Sequence, residues 1–180
     1  MPRVSQEQAR QNRQRVVEVA AALFRERGLH GVGVADIMAS AGLTHGGFYG
    51  QFANKDALAV EAFDAALAEE RQGMGDALIA NYLSPTHVQN PGRGCPLAAL
   101  ANDVAREPPD SPMRAHFTRG VESLATILAG LTPRLSKERR RQQSLAALST
   151  LVGAVVLARA VDDQALAKEL LEAATASTTR

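Results

Sequence analysis

Thr44, His45, Tyr49, Gln51 and Lys55 fall within one short stretch, interleaved with Gly46, Gly47 and Gly50. Side chains of these types bind phosphate and read bases. A threonine hydroxyl beside the free backbone N–H groups of a helix N-terminus makes a phosphate site. His45, the next residue, is expected to point outward from the first turn, within reach of a phosphate or a base edge. Gly46 and Gly47 keep that surface narrow, so that it can approach a major groove about 12 Å wide. The Tyr49 phenol can donate to a phosphate, the Gln51 amide can pair with adenine, and the Lys55 ammonium can hold the flanking backbone by charge. The plainer use is structural: Thr44 as a cap only, His45 as a solvated side chain, and glycines that weaken the helix by about 1 kcal/mol each relative to alanine.

The elements around this stretch must position it. Val16, Val17, Ala20, Leu23 and Phe24 recur at three- and four-residue steps, which predicts a helix over about 7–27 that Gly28 stops. Arg13, Arg15, Glu18, Arg25 and Glu26 fill its other positions. Val34, Ile37, Met38 and Ala41 then mark one apolar face of a second, two-turn helix ending at Gly42, for which Gly33 is a permissible cap. A third helix follows, capped by Thr44, with Phe48 and Phe52 on its buried side. Two short helices joined by a glycine turn behind a longer supporting helix make a helix-turn-helix. Asn54 caps a long helix expected to run to about Tyr82, with Gly73 and Gly75 as bends or weak points. Residues 84–94 are predicted as loop, Pro96 opens a helix to about Arg106, and 107–112 form a second break. Further helices are predicted over about 113–131, 136–161 and 163–176, giving an all-α fold.

Composition agrees, since the chain is 46% hydrophobic, rich in alanine and leucine, and poor in aromatic residues, as helices packed on helices require. Seven basic side chains face four acidic ones through residue 55, a net +3, whereas the remainder carries thirteen against fifteen. That asymmetry points the first third, and not the rest, toward a polyanion, unless it marks only a solvated basic helix. No tract is read as a membrane span or signal peptide, and the single cysteine, Cys95, cannot form an intrachain disulfide, so the expected compartment is the cytoplasm.

Residues 33–58, GVADIMASAGLTHGGFYGQFANKDAL, resemble the DNA-binding signature of TetR-family repressors. The similarity rests on Ala-Gly-Leu-Thr at 41–44, Phe48-Tyr49, Phe52, Asn54-Lys55 and Leu58, and it covers roughly the first third of the chain. Many members carry a basic residue where His45 stands and a larger one where Gly50 stands. The resemblance implies a helix-turn-helix DNA-binding domain over 1–55 and an effector-binding and dimerisation domain over 56–180. It also implies a homodimer on a palindromic operator, released by a small, mainly apolar effector.

Phe63, Leu67, Leu78, Tyr82, Cys95, Leu100, Met113, His116 and Phe117 are the expected effector-binding residues, with Met74, Leu97 and Leu124 as further wall and Asn102 and Asp103 as polar contacts. The ligand is expected between the helices beginning near Lys55, Pro96 and Met113, gated by the 84–94 loop. Cys95 precedes a helix N-terminus close to Arg93, and both features favour a thiolate, so electrophile or redox sensing is an alternative trigger; a small buried or capping residue is its plainer use. Residues 144–160, SLAALSTLVGAVVLARA, are apolar or small around most of a helix, and a second subunit is the economical cover. Leu148, Leu151, Gly153, Val155, Leu166 and Leu170 are the expected dimer contacts. The chain offers no catalytic triad, phosphate loop or metal-ligand spacing, so neither an enzyme, a cofactor nor a metal is expected. A helical adaptor using the 144–160 face is the competing class.

Overall fold

A computed structural model describes residues 6–72, 78–132 and 134–178 of the 180. Among the described residues regular structure is entirely helical: α1 (Gln6–Arg27), α2 (Val34–Ser40), α3 (Lys55–Gln72), α4 (Leu78–Tyr82), α5 (Pro85–Gln89), α6 (Pro96–Arg106), α7 (Pro112–Ala129), α8 (Lys137–Ala160) and α9 (Gln164–Thr178), with 3-10 turns at His45–Gly47 and Pro91–Arg93.

Helix boundaries follow local chemistry. Gly28 ends α1 and Gly42 follows α2, each with positive φ that a residue with a Cβ adopts at a cost. The Gly33 N–H donates to the Asp36 carboxylate at 3.1 Å, so the side chain of α2 reaches back to close its own start. Asn54 Oδ1 accepts from Ala57 N–H at 2.8 Å, and Asp163 Oδ1 accepts from Ala165 and Leu166 at 2.8 and 3.2 Å. Ser84, Ser111 and Ser136 cap α5, α7 and α8 in the same way.

Two predicted elements differ. The third helix is only a 3-10 turn, because Gly46, Gly47 and Gly50 supply little helix propensity, and Thr44 makes no side-chain cap bond. The chain still folds back on itself there, with Gln51 and Phe52 N–H donating to the Phe48 carbonyl at 2.9 and 3.0 Å. Residues 84–94 are not an exposed loop but α5 and a 3-10 turn, held by side chains of α1 and α8. The predicted run from Lys55 to Tyr82 is helical over its described parts, α3 and α4; Gly73, Met74 and Gly75 lie outside the described residues.

α1 packs chiefly on α3, and α8 on α7 and α9. Phe24, Ile37, Met38, Phe48 and Leu58 are essentially fully buried, tying α1, α2, the turn and α3 into one apolar cluster. At Gly120 of α7 an added Cβ would meet Leu67, Leu97 and Phe63 at 2.9–3.3 Å. The space between α3, α6 and α7, expected to admit ligand, is therefore closed by side chains. α8 is by length and composition apolar enough to cross a membrane, contrary to the expectation that no tract is, and 33% of its apolar window is buried within the protomer, the rest being partly buried or exposed.

Candidate DNA-binding turn and effector cavity

The turn presents Thr44, His45, Gly46, Gly47, Tyr49 and Gly50 to solvent, Tyr49 with 68% of its surface free. Phe48 and Phe52 lie beneath, ring centroids 5.5 Å apart, and act as the platform. Tyr49 stands edge-on to Phe48 at 5.2 Å and to His45 at 6.1 Å, so phenol and imidazole share one outer surface. Arg13 of α1 braces this platform, its guanidinium 4.6 Å from the Phe52 ring and 2.6 Å from Glu61. An added Cβ at Gly46 would meet nothing within 4 Å, and its φ is not positive. Nothing inside the fold asks for glycine there.

Two expected contacts turn inward instead. Gln51 Nε2 donates to the Gly47 carbonyl at 3.2 Å, and its Oε1 is buried without a hydrogen-bond partner. Lys55 is half-buried, its ammonium 6.0 Å from the Phe24 ring. The backbone-bonding reach of the first and the cation–π pull on the second outweigh the outward projection that their positions suggest.

A cavity of about 680 Å³ lies by the last turns of α3, lined by residues including Glu70, Leu78, Asn81, Tyr82, His87 and Cys95. Its walls expose more hydrocarbon than polar surface. Arg25, read as filling a position of α1 outside its apolar repeat, is buried at this wall: Nε donates to Ala21 O at 3.0 Å, Nη1 to Gly94 O at 3.1 Å, and Nη2 lies 3.7 Å from Glu69. Burial lowers its pKa, opposed by Glu69 and Glu70. His87 Nε2 accepts from Cys95 N–H at 2.8 Å, which places the ring proton on Nδ1, 2.6 Å from the Tyr82 carbonyl. Burial also lowers the His87 pKa, and that favours this neutral form. Arg159 of α8 donates to the Val88 and His87 carbonyls at 3.2 and 2.8 Å. Gly94 permits this closure, since an added Cβ would meet Arg159 and the His87 ring at 2.7 Å. Residues 84–94 are thus bolted to α1 and α8, which argues against their serving as an exposed gate.

At the cavity's centre, burial raises the Glu70 carboxyl from the ordinary 4.5 to about 7, with Cys95 and Arg25 opposing. Cys95 is buried, and both burial and Glu70 push its thiol well up, the reverse of the thiolate expected from the helix start and Arg93. Tyr82 Oη is buried with no hydrogen-bond partner. Of the expected effector residues, the fold brings Leu78, Tyr82 and Cys95 together here. Phe63, Leu100 and Met113 are core, Leu67 and Phe117 pack against it, and Phe63 stacks on Phe117 at 5.8 Å. His116 Nδ1 pairs with the exposed Asp64 at 2.8 Å, and Asn102 faces a separate groove toward α8 and α9. Glu70, Arg25 and His87 were missed, although Arg25 falls four residues after the buried Ala21, on the apolar face of α1, which was the available signal.

On α8, Leu148, Leu151 and Val155 are buried inside the protomer, so they cannot be the partner-facing residues expected of them. The outer face is instead carried by Val152, Gly153, Val156 and Leu157, with Leu166 and Leu170 on α9; Leu157 and Leu166 are 52% and 42% exposed. An added Cβ at Gly153 would meet nothing within the protomer.

The model of the bacterial regulatory proteins of the tetR family matches residues 16–62, which span α1, α2, the turn and the start of α3. The uncharacterized HTH-type transcriptional regulator Rv0196 of Mycobacterium tuberculosis is 32% identical over 166 residues, covering 82% of this chain and 84% of that one. Among solved structures, a TetR transcriptional regulator from Chloroflexus aurantiacus superposes with a TM-score of 0.74 at 24% identity, covering 97% of each chain. Reduced NemR of E. coli gives 0.72 at 22% identity, over 93% of this chain and 95% of that one. The structures share the fold, and the mycobacterial relative shares sequence along nearly the whole chain. With an exposed polar turn on an aromatic platform at the matching residues, this protein belongs to the TetR family of bacterial transcriptional regulators, and not to the enzymes.

Proposed function

We propose that this regulator is a ligand-responsive repressor, binding a palindromic operator as a cytoplasmic homodimer and releasing it when a small molecule fills the Glu70 cavity. The observation that carries the reading is the turn itself: His45 and Tyr49 stand exposed on buried Phe48 and Phe52, with glycines between them that the fold does not need. Thr44, His45 and Tyr49 hold phosphates, Gly46 and Gly47 let the duplex close in, and Gln51 and Lys55 support the turn from within. The uncovered face of α8 and α9 pairs with its counterpart in a second copy, which supports a domain division at 1–55 and 56–180.

Coupling runs through two connections. α3 starts at the turn and ends at the cavity, and Arg25 belongs to α1 yet binds Glu69 and the Gly94 carbonyl. A ligand that displaces either contact tilts the DNA-binding unit and moves the paired turns off the 34–36 Å half-site spacing, roughly the repeat that dimeric helix-turn-helix proteins require. About 3 kcal/mol of preference for the moved state weakens operator binding on the order of a hundredfold. A thiol trigger gains no support, because Cys95 is buried and protonated.

Replacing His45 and Tyr49 together by alanine tests the reading. Operator affinity is expected to fall at least tenfold, with thermal stability unchanged. Unchanged operator affinity in a folded double variant would falsify it.

A further inference from the structure

We propose that the Glu70 cavity takes a small organic cation, an apolar body carrying a protonated nitrogen that sits between the Glu70 carboxylate and the Tyr82 phenol. The assignment rests on the reading of this cavity as the effector site and names the chemistry it selects.

The space, about 680 Å³, accommodates a drug-sized molecule, and the excess of hydrocarbon in its walls suits an apolar body. Two polar groups, the Tyr82 phenol and the Glu70 carboxyl beside the Cys95 thiol, mark where a ligand's own polar atom belongs. Tyr82 Oη is buried without a partner, and such a group costs free energy unless something binds it. Among the described residues Glu70 is the wall acid outside an arginine ion pair: the Cys95 thiol bonds it, and Arg25, though near enough to lower its pKa, is committed to Glu69 and to the Ala21 and Gly94 carbonyls.

Among the described residues, the other charges facing the site are accounted for by element. From α1 comes Arg25, already bonded; from α3, Glu69, its partner. α4 supplies the neutral phenol of Tyr82, and α5 supplies His87, neutral with both ring nitrogens engaged. Arg93 on the 3-10 turn is exposed at the rim. Cys95 of α6 keeps its proton. Arg159 of α8 is spent on the Val88 and His87 carbonyls. Glu70 therefore remains as the group able to gain from a partner charge, and a cation satisfies it where an anion would add a second buried negative charge. Its carboxyl, held near 7 by burial, must ionise as a cation arrives, so binding releases a proton and tightens as pH rises from about 6 to 8.

The experiment uses full-length protein and three probes of one skeleton: phenylbutylamine, phenylbutanol and phenylbutyrate. Calorimetry is expected to give the amine at least tenfold tighter binding than the alcohol, with butyrate weaker still and a proton released with the amine. Glu70→Gln should bring amine and alcohol within about threefold of one another, while Glu70→Asp, which keeps the charge, retains part of the preference. Tyr82→Phe should weaken the amine by a smaller factor. Alcohol or butyrate binding as tightly as the amine, no detectable amine binding, or an amine preference that survives Glu70→Gln in a folded protein, overturns the assignment. Operator binding measured with the same probes separates the two readings. Selective amine binding without operator release sinks the effector reading and keeps the cation site; operator release by the alcohol alone sinks the cation site and keeps the effector reading.

Discussion

The proposed DNA-binding turn and the proposed effector cavity are built by opposite rules. Every residue of the turn surface comes from one run of chain, 44–50, and its polar groups face out over a buried aromatic pair. The cavity draws Arg25 from α1, Glu70 from α3, Tyr82 from α4, His87 from α5 and Cys95 from the start of α6, and α8 supplies Arg159 to hold it shut. Its polar groups face in. A surface meant for a polyanion needs only local order and exposure, whereas a cavity needs distant residues whose charges are either paired or held neutral. The first is robust to change in its outer residues and fragile at its platform. The second concentrates its sensitivity in the protonation of one carboxyl.

The largest expected effect breaks the platform. Phe48→Ala removes a fully buried ring, and the cost is about 3–5 kcal/mol. Operator binding should be lost while the cavity, which Phe48 does not touch, keeps its geometry. If chemical denaturation shows a loss below about 1 kcal/mol, the turn does not depend on its apolar support and the contrast collapses.

A smaller effect sharpens the other side. Because the Glu70 carboxyl is raised from 4.5 to about 7 in the fold, the folded state binds more protons than the unfolded chain between those values. Stability should therefore be fullest below about pH 4.5 as far as this group is concerned, fall as pH rises through 7, and level off above, by at most about 3 kcal/mol. Glu70→Gln should flatten that slope, as thermal melts across the range would show; an unchanged slope would place the titration elsewhere.

The smallest effect separates stability from function within the turn. Gly46→Ala adds a Cβ to open space at negative φ, so the fold should gain up to about 1 kcal/mol. Operator affinity should nonetheless fall, since the added methyl stands where the duplex approaches. A variant both more stable and equally tight on DNA would remove the argument that Gly46 answers to the partner.

The sequence by itself determined what depends on near neighbours. The three- and four-residue spacing of Val16, Ala20, Leu23 and Phe24 specifies the buried face of α1, Asn54 specifies the start of α3, and the run around Phe48 and Tyr49 specifies the class of partner. Tertiary structure decided the rest. Gln51 and Lys55 read as outward contacts until a carbonyl and an aromatic ring drew them in. Leu148, Leu151 and Val155 belong to an apolar helix whose inner and outer sides only packing distinguishes, and α7 and α9 claimed the side that carries them. Arg25, Glu70 and His87 lie on separate elements, and no local pattern brings them together. Burial, which sets the charge on Glu70 and Cys95, is a property of the assembled fold, so the chemistry of the cavity becomes readable only once the helices are in place.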